Sequence, residues 1–143
     1  MRSSRRDPVG KNYVDIERDN GEMLRYRKHV NGRGLIANGA HAHASALVEL
    51  GAYVEPGAVI GADARIMRGA WIEADAEIGP RAVIEAGAHI GKGARIGDGA
   101  HIGVRAQIGD GARVARDTII RVDEQVGEGE KVATDPRGLR LAA

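Results

Sequence analysis

Every sixth residue from Ile36 to Val132 is Ile or Val, with Ala42 the only exception among seventeen positions. Two places before these, as far as Val114, stands a small residue, an unbroken series of alanines from Ala40 to Ala112. A fixed short period held over so long a stretch determines the architecture before any local propensity is weighed. Positions i and i−2 of an extended strand point the same way, so Ala46 and Val48 face one side and Leu47 the other. A helix would need spacings of three and four, which the pattern lacks. Glycine recurs three residues after the rhythm position, at Gly39, Gly51, Gly57, Gly69, Gly87, Gly93, Gly99, Gly111 and Gly129. It would supply a positive φ at a corner. Each unit therefore predicts a short strand and a turn. Three units make a triangular coil of eighteen residues, and successive coils stack in parallel about 4.8 Å apart.

The segments "IGADAR", "IGPRAV", "IGKGAR", "IGDGAH" and "IGDGAR" resemble the hexapeptide-repeat family, over residues 36–132. That resemblance implies an all-β, left-handed parallel β-helix of about five coils; the hand comes from the family, not from the period. The composition agrees with a narrow prism: 21 glycines, no phenylalanine and 3% aromatic residues leave little that could not fit between stacked Ile and Ala columns.

Four segments are expected: a flexible basic arm over 1–12, a β-hairpin cap over 13–34, the prism over 35–133 and a tail over 134–143. Within "YVDIERDNGEMLRYRK", a three-residue loop Asp19-Asn20-Gly21 would set Ile16 opposite Leu24 and Val14 opposite Tyr26. Such a cap covers the open edge of the first coil. At the other end Thr118, Glu124 and Glu130 replace the small inward residue, so the last coil is expected to be splayed, solvated or covered. Hairpin, "NGRGLIA" and prism in this order resemble small β-helical proteins encoded by phages and prophages.

A net charge of +1 gives no field that attracts nucleic acid, and none is expected as a partner. Without cysteine there is no disulfide and no thiolate metal site. No apolar run approaches the roughly 20 residues of a membrane helix, and the basic start lacks a signal-peptide apolar core. A cytoplasmic location is expected, or the virion if the chain is phage-encoded. Arg2, Arg5 and Arg6 with Arg25, Arg27 and Lys28 form a basic cluster that suits docking to another protein surface.

Outward residues sort onto three faces. The first carries Leu35, Tyr53, Trp71, His89, Gln107 and Gln125. The second, His41 to Lys131, is mostly charged and reads as solvated. The third carries Leu47, Arg65, Val83, His101 and Ile119, and its following corner adds Leu50, Met67, Val104 and Val122. Leu47, Leu50, Tyr53, Met67, Trp71, Val83, Val104, Ile119 and Val122 thus predict an apolar edge. Since hexapeptide-repeat proteins typically trimerise side by side, the resemblance implies a homotrimer packed there.

For chemistry, the resemblance implies acyltransferases, in which a histidine serves as base and acetyl-CoA or another acyl-CoA is the donor. His89 and His101 are the candidate catalytic residues. With a third ligand the pair would suit zinc, similar to gamma-class carbonic anhydrases, although that class spaces two histidines five apart and here the spacing is twelve. His41-Ala42-His43 has the look of a two-ligand metal site, and His29 is expected at a solvated surface. No loop interrupts residues 36–132, and the family's acetyltransferase-like segment with histidine beside Asp or Asn is missing. The first expectation is therefore a non-enzymatic, rigid homotrimeric module of phage type, needing no cofactor; an acyl-CoA-dependent acyltransferase is the alternative.

Overall fold

The computed structural model describes residues 2–4, 13–135 and 137–141. It contains strands and turns and no helix among these residues. None of them forms a helix long and apolar enough to cross a membrane. After β1 (Arg2–Ser4), β2 (Tyr13–Glu17), β3 (Met23–Lys28) and β4 (Leu35–Ala37), every strand from β5 (His41–Ala42) to β20 (Lys131–Val132) is two residues long. Each holds one outward residue and the inward Ile, Val or Ala of the rhythm. The strands stack in parallel with a step of eighteen residues, as in Trp71 beside His89 and Val83 beside His101. Three sheets of nine, six and five strands form the faces of a left-handed parallel β-helix of about five coils.

Side-chain packing and backbone pairing enforce one another along this column. Ala46 through Ala112 and Ile66, Ile72, Ile84, Ile90 and Ile102 are fully buried. Burial contributes about 1.5–3 kcal/mol for each large aliphatic side chain. Each strand also donates to the coil above, as Trp71 N does to Ala88 O at 2.9 Å and Glu73 N to Ile90 O at 2.9 Å. All the glycines three past a rhythm position have positive φ, and Asp63, Asp75, Arg81, Arg105, Asp117 and Asp123 adopt it at the same corner position. A second glycine column has a different cause. A Cβ on Gly97 would collide with the backbone of Ala115 and Arg116 in the next coil. There glycine permits close approach of corners rather than an unusual dihedral.

The cap follows the expected register: Val14 lies opposite Tyr26 and Ile16 opposite Leu24, with Gly21 at φ +86° in the loop. It continues the first face, because β3 pairs antiparallel with β4. The segment expected as a flexible arm departs from expectation where it is described. Arg2–Ser4 adds an antiparallel strand to the cap; Arg5 and Arg6 of the basic cluster lie outside the described residues. His29 also departs from expectation: it is 5% exposed, and its Nε2 contacts the Ala46 carbonyl at 2.9 Å. The "NGRG" turn that follows plugs the first coil. Asn31 O accepts from Val48 N at 3.0 Å, Gly34 N donates to Val48 O at 2.7 Å, and Gly32 and Gly34 press on Leu47, Val48 and Glu49 so closely that a Cβ would clash.

The irregular end of the repeat is a cap too. Corner N–H groups of the last coil have no further coil above them, and the substituted residues serve them instead. Glu124 Oε1 accepts from Arg121 N at 2.9 Å, and Glu130 Oε1 accepts from Gly127 N at 2.7 Å. Neither glutamate enters the core, so the coil stays closed with Val126 and Val132 buried. The tail turns back, with Leu141 N on Ala133 O and Arg140 paired to Glu124. Burial acts to raise the Glu124 carboxyl, but the Arg121 N–H and the Arg140 guanidinium outweigh it and hold it below the usual range. Thr118 alone is inward and fully buried, and its hydroxyl has no partner among the described residues.

Two predictions follow from these contacts. Gly97→Ala should cost well over the about 1–2 kcal/mol strain expected of Gly93→Ala, whose Cβ meets nothing within 4 Å, and comparative thermal melts read the difference. For Glu124 the folded form is the stronger acid, so its contribution is complete above the unfolded value of about 4 and is lost as pH falls through the lower folded value. The melting midpoint should therefore drop more steeply below about pH 4 in the parent than in Glu124→Gln.

Candidate functional site

The stacking step also determines which side chains can meet outside the prism. An outward residue at position n reaches the corner residue at n−16, one coil below and two places past its own strand partner. Trp71 Nε1 donates to Glu55 Oε2 at 2.7 Å by this step. By the same step the His89 Nε2 contacts Glu73 Oε2, and His101 Nε2 contacts Glu85 Oε2 at 2.6 Å. The chain thus carries two His–Glu dyads, twelve residues apart, on two different faces.

They differ in their surroundings. His101 and Glu85 lie open on the third face. The His89 side chain is 35% exposed and Glu73 18%, and the imidazole stacks on the Trp71 indole with centroids 4.8 Å apart and planes 20° from parallel. An ionised carboxylate only accepts, so Glu73 places the hydrogen on Nε2 and leaves the lone pair on Nδ1. Nδ1 has no hydrogen-bond partner among the described residues. The His89 side chain also borders a depression of about 370 Å³, lined with it by Gln107, Asp110 and Gln125.

Beneath Trp71 lies a buried carboxylate. Glu55 is 3% exposed and accepts from Tyr26 Oη at 2.6 Å and Arg18 at 2.9 Å on Oε1, with the indole on Oε2. Burial pushes the Tyr26 phenol well above its ordinary value, and the adjoining Glu55 carboxylate pushes it further. This network joins cap to prism and ends one ring away from His89.

The second face, expected to be merely solvated, borders a groove of about 650 Å³. Arg95, Arg113 and Lys131 stand in register along it, with Arg116 at the corner, Pro80 and Ala115 among its apolar lining and Leu141 of the tail at one end. Like charges in register repel; among the described residues Arg95 pairs with Glu77 at 3.6 Å, and Asp98 also lines the groove, so four cations there face two carboxylates. The groove favours an anion.

His89 and His101 are not brought together within one chain, since they belong to different sheets. His41 and His43 do not share a strand: His43 lies past β5 in the corner, its Nδ1 2.8 Å from Ser45 Oγ. Among the described residues no three His, Asp or Glu side chains are grouped to hold a metal ion. Along the predicted edge Leu50, Ile119 and Val122 are exposed, and Leu47, Met67, Val83 and Val104 are partly covered. Tyr53 is taken by the cap, in an edge-to-face contact with Tyr26 at 5.9 Å. Trp71, 43% exposed, is committed to Glu55 and His89.

Sequence reasoning chose His89 and His101 but missed their carboxylates and Glu55. The signal was available: once the coil length is eighteen, Glu55, Glu73 and Glu85 all stand sixteen residues before Trp71, His89 and His101.

Residues 69–105, which contain both dyads, match the family model described as bacterial transferase hexapeptide (six repeats). Residues 69–105 thus carry the hexapeptide repeat that this model describes. No curated protein sequence matches it. Among solved structures it is similar to a histidine-to-asparagine variant of perosamine N-acetyltransferase from Caulobacter crescentus in complex with CoA and GDP-perosamine. The two are 16% identical with a TM-score of 0.61, over 71% of this chain and 50% of that one. It is also similar to a hexapeptide transferase family protein from Anaplasma phagocytophilum (19% identity, TM-score 0.49, 75% and 76% of the chains). A third is the acetyltransferase domain of PglB from Neisseria gonorrhoeae (24% identity, TM-score 0.42, 76% and 57%). At 16% identity and a TM-score of 0.61, the likeness to the perosamine enzyme shows a shared fold alone. The chain spans about half the length of that enzyme.

Proposed function

We propose that this protein is an acyltransferase that uses an acyl-CoA donor and His89 as general base. The observation that carries the reading is the His89–Glu73 dyad, stacked on Trp71 at the border of a depression, with Nδ1 unpaired among the described residues. Glu73 keeps the hydrogen on Nε2 and stabilises the imidazolium once Nδ1 has taken a proton. Nδ1 would remove that proton from the amine or hydroxyl of an acceptor, and return it as the thiol leaves. A bound acyl-CoA supplies an acyl group activated as a thioester. Arg113, Arg116 and Lys131 of the groove suit its phosphates, and the groove's apolar lining suits its pantetheine arm. The similarity to an acetyltransferase solved with CoA supports the same donor.

Groove and base are on different faces of one prism, so donor and base meet only where two copies lie side by side. The reading therefore includes the homotrimer, packed along Leu50, Val104, Ile119 and Val122. One observation favours a second reading, a non-enzymatic rigid module such as a virion component: no loop interrupts the coils among the described residues to shape an acceptor pocket.

The test is release of free thiol from acetyl-CoA in the presence of a panel of amino- and hydroxy-bearing acceptors. His89→Ala should lower kcat by about 10²- to 10⁴-fold, the range for a lost general base. Glu73→Gln should lower it less, and His101→Ala should leave it near the parent. Equal activity of parent and His89→Ala would refute the assignment.

A further inference from the structure

We infer that Glu55 is the positioning residue for His89, acting through Trp71. This rests on the reading of His89 as the base, and it extends the working site down into the hairpin cap.

A buried carboxylate is costly unless every lone pair is engaged. Glu55 divides its two oxygens between two structures. Oε1 takes Tyr26 and Arg18, both from the cap. Oε2 takes the Trp71 indole. The cap bonds alone would secure the hairpin. The indole bond does something else: it fixes the rotation of a ring that is otherwise 43% exposed and free to turn.

That ring is the floor of the base. Trp71 and His89 are strand partners in register, one coil apart, and their rings are nearly parallel at 4.8 Å. Glu73 holds one nitrogen of the imidazole and thereby sets its tautomer. A single hydrogen bond leaves the imidazole free to swing about that contact. The stacked indole removes this freedom by setting the ring plane, and so the direction in which Nδ1 points. Glu55 determines the indole and the indole determines the imidazole plane, while Glu73 determines the tautomer. His101 provides the comparison within the same chain: it has the carboxylate, Glu85, but its strand neighbours are Val83 and Ile119, with no aromatic floor.

Trp71 is the sole tryptophan, so its indole N–H gives one assignable NMR signal. The experiment uses the full chain and three variants, Glu55→Gln, Trp71→Phe and Tyr26→Phe. Tyr26→Phe weakens the cap but leaves the Oε2–indole bond. Trp71→Phe keeps an aromatic ring under His89 but loses the N–H donor and part of the stacked surface. In the parent, nuclear Overhauser contacts should link the indole to the His89 ring protons. Glu55→Gln should shift the indole N–H signal and weaken those contacts, and Tyr26→Phe should lower the melting temperature while preserving them. Unchanged indole-to-imidazole contacts in folded Glu55→Gln would overturn the proposal; so would their loss in Tyr26→Phe in proportion to its lost stability. If Glu55→Gln does not fold, Trp71→Phe decides. Nuclear Overhauser contacts between the replacement ring and the His89 ring protons that weaken relative to the parent's support the proposal, and contacts of parent strength overturn it. Thiol release from acetyl-CoA gives the second readout, with kcat in Trp71→Phe expected to fall about tenfold at unchanged KM. Turnover that survives in His89→Ala would refute the base, and the ring contacts would still show whether Glu55 positions His89.

Discussion

The stacking of one coil on the next, eighteen residues on, is the constraint from which the rest of this molecule follows. Interior positions must be Ile or Val beside Ala, because anything larger would push the coils apart and anything polar would lie unpaired in the core. Corners must accept positive φ or close approach to the corner above. What remains free is one outward residue per strand and a few corner residues. Any chemistry is therefore written in columns along three faces, with partners at fixed steps. The n−16 step is the most useful of these, since it pairs a strand residue with a corner carboxylate regardless of what the side chain is. It produces Trp71–Glu55, His89–Glu73 and His101–Glu85 from the same geometry.

Both ends depart from the repeat for a physical reason. At the start, the His29–Gly34 turn stands in for the strand missing below the third face, and it requires glycines where Val48 and Glu49 press against it. At the finish, Glu124 and Glu130 accept from N–H groups that would otherwise bond to a further coil. These glutamates look like decay of the motif when read as inward residues. They are acceptors turned outward to close a ladder. Glu55 is the third departure, a buried carboxylate where a more regular corner would carry glycine, and it ties the cap to the ring beneath His89.

The fold was legible because a period of six over nearly a hundred residues leaves few alternatives. The faces were legible for the same reason: sorting every third rung reproduces the three sheets, and the hairpin register followed from pairing Ile16 with Leu24. The site was legible only by half. His89 and His101 stood out by residue type, but their partners required the interval between coils to be applied to corner residues as well as to strands. The burial of His29 was hidden because its partner is the Ala46 backbone carbonyl, which no side-chain pattern reveals. The second face read as plain solvated charge although every third rung already stacks Arg95, Arg113 and Lys131; the groove beside them, with Leu141 of the returning tail in its lining, arises only in three dimensions.

Native mass spectrometry of the untagged protein with acetyl-CoA tests the central claim most directly, because the proposed donor groove and the proposed base lie on different faces and could be used together only across copies. A trimer that retains about one CoA or acetyl-CoA per chain, and loses it when Arg113 and Lys131 are both changed to Glu, is the predicted result. A monomer, or a trimer that stays bare at saturating acetyl-CoA, would contradict the account and return the molecule to the role of a rigid structural module.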